Sequence, residues 1–145
     1  MLDEARLLEK LRRIEALHAG ATTAGERLAA AEARDRIRAR LEAQAREEPP
    51  VEHKFTFPDA WQRRLFLALL RRYDLRPYRY RGQRHTTVMT RAPRRFVVET
   101  LWPEFRELAE ELREHLDAVT TRIISQAVNE DSSEADEVSE PRALR

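Results

Sequence analysis

Eight apolar residues recur at steps of three and four between residues 97 and 123, and this spacing constrains the fold more than any other feature of the sequence. They are Val97, Leu101, Phe105, Leu108, Leu112, Leu116, Val119 and Ile123. Such steps return side chains to one face of an α-helix, so the spacing predicts a long helix with a single apolar face. The helix is predicted to begin at Pro93 and to be kinked or briefly broken at Pro103, because proline lacks the N–H that the helix needs.

The N-terminal third shows the same periodicity in two shorter segments. The first predicted helix covers about Leu2 to His18 and ends at Gly20, since glycine tolerates the left-handed backbone of a helix end. The second is predicted to start at Thr23 and Glu26, which match the capping-box pattern, and to reach about Arg46. Two amphipathic helices joined by a short link predict an antiparallel helical hairpin over residues 1–48.

The middle of the chain changes to shorter elements. Residues 51–57 alternate between apolar and polar and predict a short strand, and residues 59–73 predict a third helix. Residues 76–81 and 85–90 predict a β-hairpin that turns at Gly82. The predicted fold class is therefore mainly α (α+β), with a small antiparallel sheet: an N-terminal helical hairpin, then helix, β-hairpin and long helix. This assigns residues 51–128 to an α-β-β-α unit and 129–145 to a disordered acidic tail.

The net charge of +1 hides a strong separation of charge along the chain. Residues 53–95 contain twelve Lys and Arg against two Asp, whereas residues 96–145 contain five Arg against thirteen Asp and Glu. Arginine suits phosphate recognition, and aromatic faces stack on bases. The candidate nucleic-acid-binding residues are Arg76, Arg79, Arg81, Arg84, Arg91, Arg94 and Arg95. The alternative is that these arginines pair with the acidic C-terminal third or lie on a solvated edge.

Two tyrosines alternate with these arginines. Tyr78 and Tyr80 would share one face of the predicted first hairpin strand, where core packing is the commoner role and base stacking the alternative. Trp61, on the apolar face of the third helix, is expected in the core. The acidic residues near the start of the last helix, from Glu104 to Glu114, are expected to form a solvated face.

No pattern in the sequence indicates an active site. There is no cysteine and no glycine-rich phosphate loop, and no two of the four histidines have the spacing of metal ligands on a helix. We therefore predict no catalytic residues, no metal, no cofactor and no enzymatic activity. The charged N-terminal segment and the absence of a long apolar run predict a cytoplasmic protein that does not enter a membrane.

Several segments together resemble a bacterial and phage family known as domain of unknown function 2786. The helical-hairpin part of the resemblance lies in residues 8–17 and 23–33, and the second part lies in Trp61–Leu65, Tyr78–Tyr80, Thr86–Met89 and Leu101–Phe105. The resemblance implies a helical hairpin followed by an α-β-hairpin-α segment and a bacterial origin, and it implies no catalytic residue.

Two functions follow as hypotheses. The first is nucleic-acid association, with DNA or RNA held by the arginine-rich β-hairpin. The alternative is a protein–protein adaptor without catalysis, which binds a protein partner or a second copy through the Ala-rich helical hairpin.

Overall fold

The computed structural model describes residues 2–21 and 29–141, so the predicted capping box at Thr23 lies outside the described residues. The elements in chain order are α1 (Leu2–His18), α2 (Ala30–Glu47), β1 (Val51–Thr56), α3 (Ala60–Arg72), β2 (Thr87–Ala92), α4 (Arg94–Phe96), a π-helical turn (Val97–Leu101) and α5 (Trp102–Ala127). The predicted fold class, mainly α with a small antiparallel sheet, is confirmed.

The chain divides into two compact units, Met1–Arg113 and Glu114–Arg145. In the first unit, α1 and α2 pack on each other and share one hydrophobic core with the rest of the unit. Ile14 of α1 and Ile37 of α2 belong to the same core as Phe66 of α3. The two N-terminal helices therefore bury part of their apolar surface against this unit's own core.

The end of α1 is as predicted. Gly20 follows the helix with φ of +93°, a backbone conformation that residues with a side chain rarely adopt. Its N–H donates to the Leu17 carbonyl at 3.0 Å. The start of α2 at Ala30 has no side-chain cap, because the residue before it is Ala29.

The sheet is built from β1 and β2, which pair antiparallel although α3 lies between them in the chain. Both strands were predicted, but β2 was expected to pair with residues 76–81. That segment instead forms a single bridge, in which Tyr78 and Met89 exchange two backbone hydrogen bonds of 2.9 and 2.8 Å. The predicted β-hairpin is therefore wrong in its pairing: β1 lies on one side of β2, and the segment around Tyr78 adds one bridge to it.

The centre of the first unit is aromatic. The fully buried ring of Phe66 lies 4.5 Å from Phe55 and 5.3 Å from Phe105, centroid to centroid, in tilted and edge-to-face arrangements. Trp102 stacks on Phe55 at 5.5 Å. These contacts hold the inner face of the sheet against α3 and α5.

Trp61 of α3, which was expected in the core, lies at its edge. Phe66 and Leu70 are fully buried, whereas Trp61 is only partly buried and packs at the edge of the core. Asp59 caps the helix, since its Oδ1 accepts from the Gln62 N–H at 2.9 Å.

The last helical region begins after Pro93, as predicted. The expected kink or break at Pro103 takes the form of the π-helical turn, in which the Trp102 N–H donates to the carbonyl of Val97, five residues earlier. Since Pro103 has no N–H to donate, the wider turn immediately before it absorbs the irregularity without ending the helix.

The second unit contains the end of α5 and the residues after it. Leu116 is 40% exposed and Ile123 is 55% exposed, whereas Val119 between them is partly buried, so the apolar face is only partly covered in this unit. Residues 129–141 are exposed and form no helix or strand. None of the helices in the described part of the chain combines the length and the apolar composition needed to cross a bilayer.

Candidate nucleic-acid interface

The outer face of the sheet is polar because strand residues alternate between its two faces. His53 and Phe55 of β1 are partly buried, whereas Glu52 and Lys54 are exposed. Residues opposite each other in an antiparallel pair share a face, and Glu52 lies opposite Arg91. The bridge between Tyr78 and Met89 places Tyr78 on this side as well, since Met89 lies opposite Lys54.

Glu52 holds both tyrosines in place. The hydroxyls of Tyr78 and Tyr80 donate to the same atom, Oε2 of Glu52. These two hydrogen bonds, with a smaller contribution from the charge of Arg91, hold the pKa of Glu52 below its usual range. The same hydrogen bonding raises the pKa of Tyr78 to about 12 and raises that of Tyr80. Glu52 therefore stays ionised, and both phenols stay protonated, throughout the physiological range.

The tyrosines are not in the core, where the sequence favoured them. Tyr80 is 53% exposed and Tyr78 is half-buried. Their ring centroids lie 5.7 Å apart with planes at 76°, an edge-to-face contact.

Residues 79–84 form the arginine loop, which carries Arg79, Arg81 and Arg84. The loop is held by its uncharged residues: the Tyr80 N–H donates to Gln83 Oε1 at 2.8 Å, and the Gln83 N–H donates to the Tyr80 carbonyl at 3.1 Å. Gly82, with φ of +90°, supplies the conformation that this turn requires. The three arginine side chains make no hydrogen bond or ion pair within the described residues of the first unit.

All seven candidate arginines are exposed, but they do not lie together. The loop arginines precede β2, and Arg94 and Arg95 follow its other end. A six-residue strand spans about 20 Å, so these groups are well separated. Arg95 is also occupied, since it donates to Glu99 at 3.1 Å and lies 3.8 Å from Glu47.

The remaining five arginines lie on β2 or on the segment that precedes it. Arg91 lies opposite Glu52 in the sheet, and its guanidinium donates to the Pro50 carbonyl at 3.4 Å. The carbonyl of Arg76 accepts from the Thr90 hydroxyl of β2 at 3.0 Å. We call the set Arg76, Arg79, Arg81, Arg84 and Arg91 the arginine surface. None of them lies within ion-pair distance of a carboxylate in the described residues of the first unit.

Both acidic residues within the range 53–95 have partners outside the arginine surface. Asp59 caps α3, and Asp74 pairs with Arg38 of α2 at 3.3 Å. Some basic residues of the same range also stabilise the fold: Arg72 donates to Glu15 at 2.8 Å and to the Ala30 carbonyl at 3.0 Å, and Arg63 donates to the His85 carbonyl at 3.0 Å. These structural contacts involve none of the loop arginines, whose guanidiniums are in no ion pair within the described residues of the first unit.

A second polar cluster was missed by the sequence interpretation. Glu104 was expected to be solvated with the other acids of α5, but it is fully buried. Its two carboxyl oxygens each lie 2.7 Å from the Tyr73 hydroxyl. Burial raises the pKa of Glu104 to about 8, against the lowering effect of the Tyr73 hydrogen bond. One signal was present: Glu104 lies between Leu101 and Leu108, within the apolar face that the spacing predicts.

Comparison of the chain with protein-family models, with curated proteins and with solved structures gave no significant match. Within the described residues, no group of three or more His, Asp or Glu side chains is arranged to hold a metal ion.

Proposed function

We propose that this protein binds nucleic acid through the arginine surface, with guanidinium groups on the phosphate backbone. The observation that carries the proposal is that five exposed arginines, on β2 and the segment before it, have no carboxylate within ion-pair distance among the described residues of their own unit. Unpaired charges of one sign attract a polyanion and gain from the counterions that it releases.

The arginine surface has a positive net charge although Glu52 lies opposite Arg91. The carboxylate contributes one negative charge against five positive charges, and its Oε2 is already occupied by both phenols. Glu52 therefore positions the tyrosines and neutralises only a small part of the surface. The cytoplasmic location and the bacterial origin expected from the sequence fit this proposal and remain predictions.

The adaptor function remains the alternative. Ala33 and Ile37, the centre of the Ala-rich face of α2, are covered by the protein's own core. A partner would therefore have to contact exposed residues such as Leu8 and Leu17 of α1. We favour the nucleic-acid proposal because its residues are exposed and, within the described residues of their unit, have no carboxylate at ion-pair distance.

The test is fluorescence anisotropy with labelled DNA and RNA at two salt concentrations. In a triple variant, Arg79, Arg81 and Arg84 are each changed to Ala. If each of the three arginines contributes one phosphate contact, the slope of log K against log salt concentration should become shallower by about 2 in the variant. Its affinity at 0.1 M salt should fall about 100-fold.

A matched control changes three exposed arginines of α1 and α2, Arg12, Arg36 and Arg46, to Ala. It removes the same charge from another part of the unit, so its affinity should stay within a few fold of that of the unmodified protein. Failure of the unmodified protein to bind either nucleic acid at low salt would refute the proposal. Equal losses in both triple variants would show that only net charge matters and that the arginine surface is not the site.

A further inference from the structure

Tyr80 is an exposed aromatic ring whose position is fixed from three directions. Its hydroxyl donates to Glu52, its N–H donates to Gln83 Oε1 at 2.8 Å, and its ring meets Tyr78 edge to face. Tyr78 is itself anchored by two backbone hydrogen bonds to Met89 of β2. A large side chain that is 53% exposed and held in this way has lost its mobility before any ligand arrives.

The ring of Tyr80 also has room for a planar partner. An edge-to-face contact uses one edge and one face between two rings, so Tyr78 leaves at least one face of Tyr80 uncovered. No other aromatic ring of the described residues contacts Tyr80. Aromatic rings in such settings stack on nucleic-acid bases, and every base offers a π-face regardless of its identity.

The charges next to the ring fit the backbone of the same ligand. Arg79 and Arg81 flank Tyr80 in the chain, and both are exposed and unpaired within their unit. Arg91 lies opposite Glu52 in the sheet, and Glu52 accepts the hydrogen bond of the Tyr80 hydroxyl, so Arg91 is on the same side of the sheet as this hydrogen bond. One nucleic-acid strand could therefore stack a base on the ring of Tyr80 and place its phosphates on the flanking guanidiniums.

We propose that the arginine surface selects single-stranded nucleic acid, with an unpaired base stacked on Tyr80 and its neighbouring phosphates held by Arg79, Arg81 and Arg91. This rests on the proposed function and adds the ligand class. A duplex hides its base faces in the stack, so it can use the arginines but not the ring.

The experiment measures binding to an oligonucleotide of about ten nucleotides, within the site size of single-strand-binding surfaces. Three further ligands isolate the contributions: an abasic oligonucleotide of the same length, a duplex of the same sequence, and heparin, which has charge but no bases. Each nucleic-acid ligand is made as DNA and as RNA, so that any contribution of the 2′-hydroxyl is measured separately.

Tyr80→Leu removes the ring face, and Tyr80→Phe keeps it while losing the hydrogen bond to Glu52. We expect Tyr80→Leu to bind the single strand about 10-fold more weakly, within the range for one base stacked on an aromatic ring. Its affinity for the abasic strand and for heparin should stay unchanged. Tyr80→Phe should retain most of the preference for the strand that carries bases, and both variants should show the thermal unfolding midpoint of the unmodified protein.

The outcomes separate this inference from the proposed function. If the unmodified protein binds single strand, duplex and abasic strand equally, or if Tyr80→Leu weakens all ligands alike, base stacking is refuted while polyanion binding stands. If neither nucleic acid nor heparin binds at low salt, the proposed function and the inference both fail.

Discussion

Replacing Glu104 with Gln should make the protein more stable at alkaline pH and leave its stability almost unchanged at acidic pH. The Tyr73 hydroxyl has one proton but lies 2.7 Å from both carboxyl oxygens. A protonated carboxyl satisfies both contacts, because Tyr73 donates to one oxygen while the other donates back. Glutamine reproduces this pattern, since its oxygen accepts and its amide nitrogen donates.

The charged groups around Glu104 agree with a neutral carboxyl. Burial is the largest cause of its raised pKa, and the nearby carboxylates of Glu15 and Glu107 raise it further. Arg72 lowers it, but that guanidinium donates directly to Glu15 at 2.8 Å and is not paired with Glu104. No cation of the described residues therefore compensates a negative charge on Glu104 directly.

The magnitude follows from linkage between protonation and folding. The pKa of Glu104 rises from 4.5, its ordinary value, to about 8 in the folded protein. The stability from the neutral carboxyl is fully present below pH 4.5 and is lost as pH rises through about 8. Over the whole window the loss is on the order of 5 kcal/mol, at about 1.4 kcal/mol per pH unit, and the glutamine variant escapes it because an amide does not titrate.

The assay is urea unfolding of both proteins at pH 5, 7 and 9, followed by circular dichroism. The difference in free energy of unfolding should be within about 1 kcal/mol at pH 5 and should favour Glu104→Gln by several kcal/mol at pH 9. Glu42→Gln, at an exposed position of α2, is the control, and it should change the free energy of unfolding by less than about 0.5 kcal/mol at each pH, as surface substitutions usually do. A difference between Glu104→Gln and the unmodified protein that stays constant from pH 5 to pH 9 would refute the reasoning.

Two further predictions concern the fold that supports the site. Phe66→Ala should lower the free energy of unfolding by about 3–5 kcal/mol in urea denaturation, because the ring fills the space among Phe55, Phe57 and Phe105; a loss below about 1 kcal/mol would contradict this packing. Asp59→Ala should lower the thermal midpoint through a loss of about 1 kcal/mol at the start of α3, whereas Asp59→Asn, which can still cap, should lose much less; equal losses would show that the cap is not the cause.

Local sequence patterns predicted where the helices and strands lie better than they predicted which strands pair. The spacing of apolar residues and Gly20 predicted α1 with its observed bounds, and alternation predicted β1. The pairing of β2 could not be read locally, because residues 51–56 and 76–81 both alternate and both lie within reach of it. The choice depends on the core: pairing with β1 places Phe55 opposite Val88 on the face that packs against Phe66.

The candidate site was predicted in composition but not in arrangement. Charge counting identified the seven arginines, yet it could not separate Arg95, which pairs with Glu99, from Arg91, which lies near the tyrosines. The alternation of Tyr78 and Tyr80 favoured the core over base stacking, because a single alternating segment does not show which of its faces is covered. That information comes from the bridge to Met89 and from Glu52, more than twenty residues away in the chain.

The contacts that hold the arginine loop do not involve the side chains that the triple variant of Arg79, Arg81 and Arg84 removes. Its turn depends on the backbone and side chain of Gln83 and on the positive φ of Gly82, while the three loop guanidiniums make no hydrogen bond or ion pair within the described residues of their unit. Removing them therefore should not change the loop or the stability of the unit, in contrast to removing Arg72, which would leave Glu15 buried without its partner. Because folding does not require these three positive charges, any loss of binding in the triple variant can be attributed to nucleic-acid recognition. Unchanged binding would mean that the three loop arginines contribute neither to folding nor to recognition.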